Sequence, residues 1–487
     1  MEHKNKLSFK QIISYASGDI FGGGAFALVG LLFLRFLTDS ALISAGIAGT
    51  MLLVGKIWDA IIDPFIGHFT DNSRSKVGRR RIFFLAGVFH ITAAFTLLWI
   101  PLNTVVWVKA IYYTIAYMLF ATSFSMTMVP YHALLADMTK SYNERNRLVG
   151  TRTIVSNLST LIAGVVPLLI VNAFADKQIG WFVMGLSFGV FYAIPWIFVY
   201  LGTKEISVEL SKEKFEMNPF VIFLKNSKVV LKNRSYMLLL GLYIFGYTAI
   251  DAFTAINIYF VADYLGIPSA YTILIGIFII TQMLFVPIYI KIANTWGKKF
   301  SHMTGALIWI ITLLLIMLIQ PGTSPIIMYI ASFFMGAGAS GVAFSPWGML
   351  PETTDVEELI STKRREGIYS GFMTFIRQLS QAVALFLTGL FLDFVGYQVP
   401  VIANQVVLQS QTTLNGIKLF YSLAPSVLLV ISILFTLSYP LNHKTYNLLI
   451  KEIERLKNKG SKEKVASSTK ATLENLTGKK YKNLYKK

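Results

Sequence analysis

The sequence predicts an all-α membrane protein with twelve transmembrane helices in two pseudo-symmetric six-helix halves. Three observations lead to this prediction. Of 487 residues, 54% are hydrophobic and only 14% are charged, too few charges to cover a soluble protein of this size. Apolar runs of about 20 residues, each sufficient to cross a bilayer as a helix, recur along the chain. A long polar stretch after the sixth run divides them equally.

Each predicted span is an apolar run bounded by polar or basic residues. The polar stretch between the sixth and seventh runs is the longest one inside the chain, so we interpret it as a linker between the halves. The twelve runs cover residues 12–37, 43–69, 82–101, 107–135, 149–174, 180–202, 237–262, 270–294, 302–320, 324–350, 367–394 and 415–441.

An internal echo supports duplication of the halves. Span four ends with Pro130–Leu134 and is followed by Asp137, and span ten ends with Pro346–Leu350 and is followed by Glu352. Duplicated halves around a midplane site are typical of secondary transporters. The predicted domains are a first half, a cytoplasmic linker, a second half and a basic tail, at residues 1–203, 204–236, 237–442 and 443–487.

Basic residues are concentrated in alternate connections between spans. By the positive-inside rule, these connections and both termini are predicted to be cytoplasmic, in a multi-pass protein of the cell (inner) membrane. The net charge of +19 is therefore a topology signal, and we expect the lipid bilayer rather than nucleic acid as partner. The tail 443–487 begins as a charged helix and then reads as disordered, close to anionic lipid.

Two aspartates in span two, Asp59 and Asp63, are the leading functional candidates. A carboxylate at mid-bilayer depth costs about 2.5–3.5 kcal/mol on insertion scales, and residues four apart share one helix face. Their repulsion predicts a compensating cation, and hard carboxylate oxygens suit Na⁺ or a proton. Lys56 lies one turn before Asp59, and it either pairs with Asp59 or extends to the membrane interface.

Other ionisable residues within the spans are candidate substrate ligands. Asp19 precedes three glycines in span one, and Asp251 lies deep in span seven. Arg152 and Arg377 either pair with an acid or bind hydroxyls and carboxylates bidentately. His132 is either a packed residue or part of a proton relay.

The basic loop after span two predicts a cytoplasmic gate, with a solvated loop as the alternative. Arg35, near the outer end of span one, is expected to be an interfacial residue. No glycine-rich phosphate loop and no His/Glu metal spacing occur, so we expect neither ATP-driven transport nor an enzyme, and no cofactor besides a coupling ion. The gate residues are Asp71, Gly78, Arg79, Arg80 and Arg81.

These strings resemble the glycoside–pentoside–hexuronide:cation symporters, melibiose-permease-like members of the major facilitator superfamily. The similarity covers residues 8–440. It implies the major facilitator fold and cation-coupled uptake of a sugar or glycoside by alternating access, in a carrier that functions as a monomer. The resemblance is carried by Trp58–Pro64, Asp71 with 78–81, Pro130–Tyr131 with Asp137, Glu144–Arg145 and Arg364–Gly367.

The resemblance also assigns roles to single positions. Asp59 and Asp63 match cation-coordinating carboxylates, and Ser125 falls at a hydroxyl that assists the cation site. Asp19 matches an acceptor of sugar hydroxyls, and Arg152 falls near a sugar-site arginine.

Three positions depart from the melibiose-type pattern. Met128 and His132 stand where those members have an aspartate and a tryptophan, and Gln378, beside Arg377, stands where they have a lysine. The loss of an acid with retention of arginine suits a charged sugar such as a uronide better than a neutral galactoside.

The sequence therefore predicts a symporter that couples uptake of a sugar, glycoside or hexuronide to Na⁺ or H⁺. Two alternatives share the membrane location: a lipid or lysolipid carrier of the same fold, and a sugar sensor that binds without transport. An integral-membrane enzyme would need a nucleophile or a metal cluster at one depth, and the sequence contains neither pattern.

Overall fold

The computed structural model describes residues 7–71, 73, 75, 78, 80–139, 142–203, 230–402, 407–458, 461, 462 and 465–485. Throughout these residues the regular secondary structure is helical, without a strand. In chain order, the α-helices are α1 Phe9–Ala16, α2 Asp19–Asp39, α3 Ala45–Asp71, α4 Arg81–Leu98, α5 Val106–Met138, α6 Tyr142–Ala173, α7 Lys177–Gly202, α8 Arg234–Tyr259, α9 Tyr271–Thr295, α10 Lys298–Ile316, α11 Pro325–Ser361, α12 Glu366–Phe394, α13 Gln411–Ser438, α14 His443–Lys457 and α15 Ser467–Thr477.

The predicted all-α membrane fold is confirmed. In the described part of the chain, 11 helical segments are long and apolar enough to cross a membrane, and each coincides with a predicted span. The remaining predicted span, 107–135, lies in α5, whose 33 residues exceed the length that a bilayer requires. Hydroxyl and aromatic side chains within the predicted span lower its hydropathy.

The first predicted span is divided into two helices. α1 begins with a capping box in which the Ser8 hydroxyl accepts from the backbone of Gln11, whose side chain accepts from the backbone of Ser8. Ser17 and Gly18 interrupt the helix, and α2 begins at Asp19. The break places Asp19 in the first turn of α2, where the aligned peptide dipoles favour a negative charge.

The chain forms two compact units. The first contains helices α1–α7 together with Thr254–Ile279 and Ala382–Lys418, and the second contains the rest of the second half with α14 and α15. Most of the predicted linker 204–236 lies outside the described residues. The division into domains at 203, 237 and 443 therefore stays a prediction.

Close helix packing in the first unit depends on Gly389. A Cβ on this residue of α12 would lie 2.3 Å from the carbonyl oxygen of Ala45 at the start of α3. Because that neighbour is a backbone atom, no side-chain rotation would relieve the contact. Glycine therefore allows α12 and α3 to touch through their backbones.

The C-terminal tail is folded where the structure describes it, so the predicted disorder is wrong for this part. Asn442 caps α14 by accepting hydrogen bonds from two backbone amides of the first turn. Apolar residues that recur at helical spacing pack into the core of the second unit, which stabilises the tail despite its many lysines. The buried tail residues are Leu449, Ile453, Leu456, Leu473, Leu476, Tyr481 and Leu484.

Polar contacts fix the tail to α8 and α11. The Tyr446 hydroxyl donates to Asp355 at 2.8 Å, and Lys457 Nζ lies 2.6 Å from Glu358 Oε1. The Ser235 hydroxyl donates to the carbonyl oxygen of Leu476 at 2.6 Å. The tail therefore closes over one end of α8 and α11 in the second unit.

Candidate functional site

The two predicted cation ligands lie on one face of α3, and a lysine accompanies them. Asp59 has 0% exposure and Lys56 has 2%. Lys56 Nζ lies 3.3 Å from Asp59 Oδ2 and 3.2 Å from the ring centroid of Phe26 on α2. Lys56 is therefore a charge partner of Asp59 and does not extend to the membrane interface. The other carboxylate oxygen, Asp59 Oδ1, is buried and has no hydrogen-bond partner among the residues that the structure describes.

Hydroxyl groups of α5 complete this cluster. The Ser125 hydroxyl donates to Asp63 Oδ1 at 2.5 Å, and Trp58 Nε1 donates to the Thr122 hydroxyl at 3.0 Å. α3 and α5 pack along their lengths, which brings these residues together. The structure thus places Ser125 beside the carboxylate pair. Two carboxylates and a hydroxyl are hard oxygen ligands that suit an alkali cation, and either carboxylate can instead take up a proton.

Three predicted substrate ligands lie together in the first unit. Arg152 Nε on α6 forms an ion pair with Asp19 Oδ2 on α2. Arg152 Nη2 donates to His132 Nε2 on α5 at 2.9 Å, and because arginine has no acceptor, that histidine nitrogen accepts. The Arg152 side chain is 25% exposed and His132 is exposed, so both are open to a ligand.

Two tyrosines and a methionine surround this cluster. Tyr131 donates its hydroxyl to the carbonyl oxygen of Tyr15 at 2.8 Å, and the two rings stack with centroids 4.5 Å apart. At Gly22 a Cβ would lie 2.5 Å from both Asp19 Oδ1 and Met128 Cε. Glycine therefore lets the thioether of Met128 approach Asp19. The side chain that approaches Asp19 here, that of Met128, is uncharged.

The two clusters share α2 and α5. On α2, Asp19 belongs to the cluster around Arg152, and Phe26 belongs to the cluster around Lys56. On α5, His132 belongs to the Arg152 cluster, and Ser125 belongs to the Lys56 cluster. Each pair is seven residues apart, which is two helical turns or about 10 Å along the axis. Phe26 and Phe124 have ring centroids 4.5 Å apart, so α2 and α5 also touch beside the Lys56 cluster.

A second polar group lies in the second unit. Arg377 on α12 binds Asp251 on α8 bidentately, with Nη1–Oδ2 2.5 Å and Nη2–Oδ1 2.8 Å. The Arg377 guanidinium lies 4.7 Å from the ring centroid of Tyr247, whose hydroxyl accepts from Trp347 Nε1 at 3.1 Å. Gln378 follows Arg377 on α12 and is half-buried.

The predicted gate is described in part. Gly78 has a φ of 126°, in the region that favours glycine. Arg80 Nη1 donates to the carbonyl oxygen of Ala133 at 2.8 Å, and Arg81 Nη2 donates to that of Tyr200 at 2.6 Å. These two arginines tie the start of α4 to α5 and α7. Arg79 and the side chain of Asp71 lie outside the described residues, so the gate stays a prediction.

An ion-pair network at the far end of α2 was missed by the sequence reasoning. Arg35, which was expected to be an interfacial residue, pairs with Asp263 and with Asp39, whose Oδ2 lies 2.6 Å from Arg35 Nε. Arg35 Nη1 also donates to the hydroxyl of buried Tyr397 at 3.0 Å. Asp263 lies in a π-helical turn, Phe260–Tyr264, that continues α8. Of these contacts, only the spacing of Arg35 and Asp39 is visible in the sequence.

The chain matches one known family over most of its length. The sequence profile described as MFS/sugar transport protein covers residues 14–443. An uncharacterized symporter of Synechocystis sp. is 25% identical, over 92% of this chain and 97% of that protein. A putative sulfoquinovose importer of Escherichia coli is 29% identical, over 95% of this chain and 98% of that protein.

Solved structures show the same fold. A bacterial homolog of the human lysosomal transporter Spinster, in an inward-facing and unoccupied conformation, superposes with a TM-score of 0.62. The alignment covers 88% of this chain and 95% of that one, at 10% sequence identity. At this identity the likeness concerns the arrangement of helices alone.

Proposed function

Because the chain belongs to the MFS/sugar transport family, whose members are multi-pass membrane transporters, we propose that this sugar symporter couples the uptake of an anionic sugar to Na⁺ or H⁺. The substrate class that we propose is a uronide or a sulfonated sugar. The cation would bind at Asp59, Asp63 and Ser125. The sugar would bind at Asp19, His132 and Arg152. Asp251, Arg377 and Gln378 are the candidate substrate ligands of the second half.

The sharing of α2 and α5 by the two clusters carries the proposal. A cation between Asp63 and Ser125 would fix α5 against α3, and α5 also carries His132, which contacts Arg152. Sugar bound at Arg152 would fix α5 from the other side. Binding of either ligand therefore favours binding of the other, and linkage makes the effect equal in both directions. Alternating exposure of the filled or empty site to the two faces completes the cycle.

The proposal of an anionic sugar rests on the charges around Asp19. Arg152 is partly exposed, and the neighbouring Met128 supplies no carboxylate. A carboxylate or sulfonate on the substrate would compete with Asp19 for the guanidinium, and Asp19 would then accept hydroxyl groups of the ring. The similar sulfoquinovose importer supports this class, because its named substrate carries a sulfonate.

Uptake into proteoliposomes tests the function. We expect an imposed Na⁺ or H⁺ gradient to drive accumulation of glucuronides or sulfoquinovose, with neutral galactosides competing weakly. Equal competition by neutral galactosides would contradict the anionic class. Accumulation of lysolipid would instead support a lipid carrier, and binding without flux would support a sensor.

Substitution of Asp59 tests the coupling. Asp59→Asn is expected to abolish cation-driven accumulation while sugar exchange continues, because exchange needs no net movement of the cation. Asp176→Asn is the control: Asp176 is exposed and caps α7 by accepting from the backbone of Gln178, which asparagine can also do. Full concentrative uptake by Asp59→Asn would contradict a coupling role.

We also propose that both termini are cytoplasmic, in the inner membrane, and that the carrier functions as a monomer. The absence of cysteine allows a direct test with single cysteines. In intact cells, an impermeant maleimide should label Val401→Cys, in a predicted outer loop, and should spare Lys444→Cys. The reverse pattern would invert the topology. Light scattering in detergent should give a protein mass of 54.5 kDa, and twice that mass would contradict the monomer.

A further inference from the structure

The hydrogen bond between Arg152 and His132 fixes the protonation state of the histidine. A guanidinium has donors only, so His132 Nε2 accepts from Arg152 Nη2 at 2.9 Å and carries no hydrogen. A neutral imidazole has one N–H group, which in His132 is therefore at Nδ1. While Arg152 donates to it, this histidine is neutral and the lone pair of Nε2 is occupied.

Two further contacts hold Arg152 in this position. Its Nε forms the ion pair with Asp19, and its Cζ lies 5.3 Å from the ring centroid of Tyr131, which stacks on Tyr15. Asp19 is 3% exposed, whereas the Arg152 side chain is 25% exposed and His132 is exposed. An entering ligand therefore reaches the guanidinium and the imidazole more readily than the carboxylate.

An anionic sugar would compete with His132 for the guanidinium. A carboxylate or sulfonate attracts Arg152 by its charge, which the neutral imidazole does not, and its oxygens can bind the guanidinium fork bidentately. When Arg152 binds the sugar, His132 Nε2 loses its donor and its lone pair becomes available. Asp19 and Arg152 balance each other, so the sugar adds a negative charge that this ion pair does not neutralise. A negative charge beside a histidine favours its protonated form.

The charged and titratable groups that neighbouring helices bring towards His132 are mixed in sign. Arg152 contacts the ring, and Asp19 is bound to Arg152. Arg80 donates to the backbone next to His132, and Asp63 is held by a hydroxyl of α5. Among the described residues, these groups are Tyr15, Asp19, Asp63, Arg80, Tyr131 and Arg152. Of these, Arg152 is the group that occupies Nε2, so its position decides whether a proton can bind there.

We propose that His132 is a substrate-linked proton site, which is neutral in the empty carrier and takes up one proton when an anionic sugar binds to Arg152. The proton comes from the solution that supplies the sugar and binds to Nε2, while Nδ1 keeps its hydrogen. Release of the sugar returns Arg152 to Nε2 and delivers the proton to the opposite solution. This inference rests on the proposed function. It adds a second ion, separate from the cation at Asp59 and Asp63, that neutralises the charge of the substrate.

Isothermal titration calorimetry of the full-length carrier in detergent measures this proton. Sulfoquinovose is the probe, because its sulfonate stays ionised around neutral pH and neither takes up nor releases a proton. Titrations in buffers of different ionisation enthalpy give the number of protons taken up per sugar bound. At about pH 7, within the range where histidine titrates, His132→Gln should take up about one proton fewer than the wild type. Glutamine keeps an acceptor for Arg152 but binds no proton.

Two further variants separate His132 from other sources of protons. A coupling proton at Asp59 would add to the count, so the effect of His132→Gln is also measured in the Asp59→Asn background, where the difference of about one proton should persist. His443→Gln, at an exposed histidine of the tail, should match the wild type. The dissociation constant of the wild type should rise with pH more steeply than that of His132→Gln, by up to about tenfold per pH unit.

Equal proton numbers in the wild type and in His132→Gln would overturn the inference. If His132→Gln binds no sugar, Asp59→Asn decides by itself: a proton number of zero there would overturn the inference, and a number of about one would support it. A folded wild type that binds neither sulfoquinovose nor a glucuronide would instead overturn the proposed function, and the inference with it.

Discussion

Arg152 makes two contacts at once: an ion pair with the carboxylate of Asp19 and a hydrogen bond to the ring of His132. The three residues come from α2, α5 and α6, so this single side chain joins three helices. A guanidinium can make both contacts because its donors are fixed in a planar fork, whereas an ammonium is a point charge. The same fork suits a carboxylate or sulfonate. This position therefore requires the geometry of arginine as well as its positive charge.

Arg152→Lys tests this specificity. We expect the half-saturating concentration of an anionic sugar to rise roughly tenfold to a hundredfold, because losing a charge-assisted hydrogen bond costs about 1.5–3 kcal/mol. Binding titrations in detergent would measure the change. Arg147→Lys is the matched control, since Arg147 lies on the same helix with its side chain 52% exposed. Similar losses in both variants would contradict a direct role for Arg152.

Small residues set the distance between neighbouring helices. Two glycines of α12, one in a close contact and one in open space, allow this effect to be compared. Gly389 faces the backbone of Ala45, while a Cβ on Gly371 of the same helix would have no atom of the described residues within 4 Å. A methyl group at Gly389 must push α12 away from α3. A methyl group at Gly371 would contact none of the described residues and removes the flexibility of glycine in a helix.

Gly389→Ala is therefore expected to destabilise the protein by about 1–3 kcal/mol, as overpacking does. Gly371→Ala should be neutral or stabilise by about 0.4–1 kcal/mol, because it lowers the conformational entropy of the unfolded chain. Thermal unfolding in detergent compares the two. Equal midpoints would show that α12 and α3 are not in backbone contact.

The tail has its own electrostatic anchor in Glu452. Burial alone would raise the pKa of this carboxyl, but hydrogen bonds donated by Arg455 and Tyr481, with the charge of Arg455, hold the pKa below its usual value. Both Arg455 contacts are short, at 2.7 and 2.8 Å. Ionised Glu452 therefore joins α14 to the segment that follows α15.

This anchor predicts that the tail loosens in acid. Because the folded-state pKa is depressed, the stabilisation is complete above the unfolded value of 4.5 and is lost as the pH falls through the lower folded value. Hydrogen exchange of residues 467–485 should therefore accelerate at low pH. Glu452→Gln should exchange faster already at neutral pH, whereas Glu454→Gln, at an exposed site, should match the wild type. Unchanged exchange in Glu452→Gln would contradict the anchor.

On the scale of the whole molecule, the Arg35 network joins residues far apart in the sequence. Arg35 and Asp39 belong to the first predicted half, and Asp263 and Tyr397 belong to the second. All four lie in the first compact unit. By the proposed topology this network is at the outer face.

A double-mutant cycle measures how much this network contributes. Arg35→Gln is expected to lower the free energy of unfolding by about 3–5 kcal/mol, because Asp39 and Asp263 lose the cation that they share. Asp263→Asn should cost less, because Asp39 still balances the charge of Arg35. The combined variant should be less destabilised than the sum of the two, which denaturant unfolding in detergent would show. Simple additivity would mean that the two residues do not interact.

The sequence predicted the spans because apolar length and loop charge are local properties. It also placed Asp59 and Asp63 on one helix face, since four-residue spacing determines that alone. It left the choice between two positions of Lys56 open, because that choice depends on Phe26, another helix's side chain. The pairing of Arg35 with Asp263 could not be foreseen, since it depends on tertiary contacts across 228 positions. The end of the tail was predicted to be disordered because it is rich in lysine, but its buried leucines stabilise a folded structure.

The π-helical turn Phe260–Tyr264 makes the network sensitive to chain length. Leu265 donates its amide to Phe260 at 3.0 Å, so this turn contains one residue more than an α-helical turn. Deleting one residue there would restore the ordinary pitch and rotate the chain beyond it by about 100° relative to α8. Asp263 and Arg35 would then no longer face each other. Over evolution, this segment should accept many changes of residue type while insertions and deletions are eliminated.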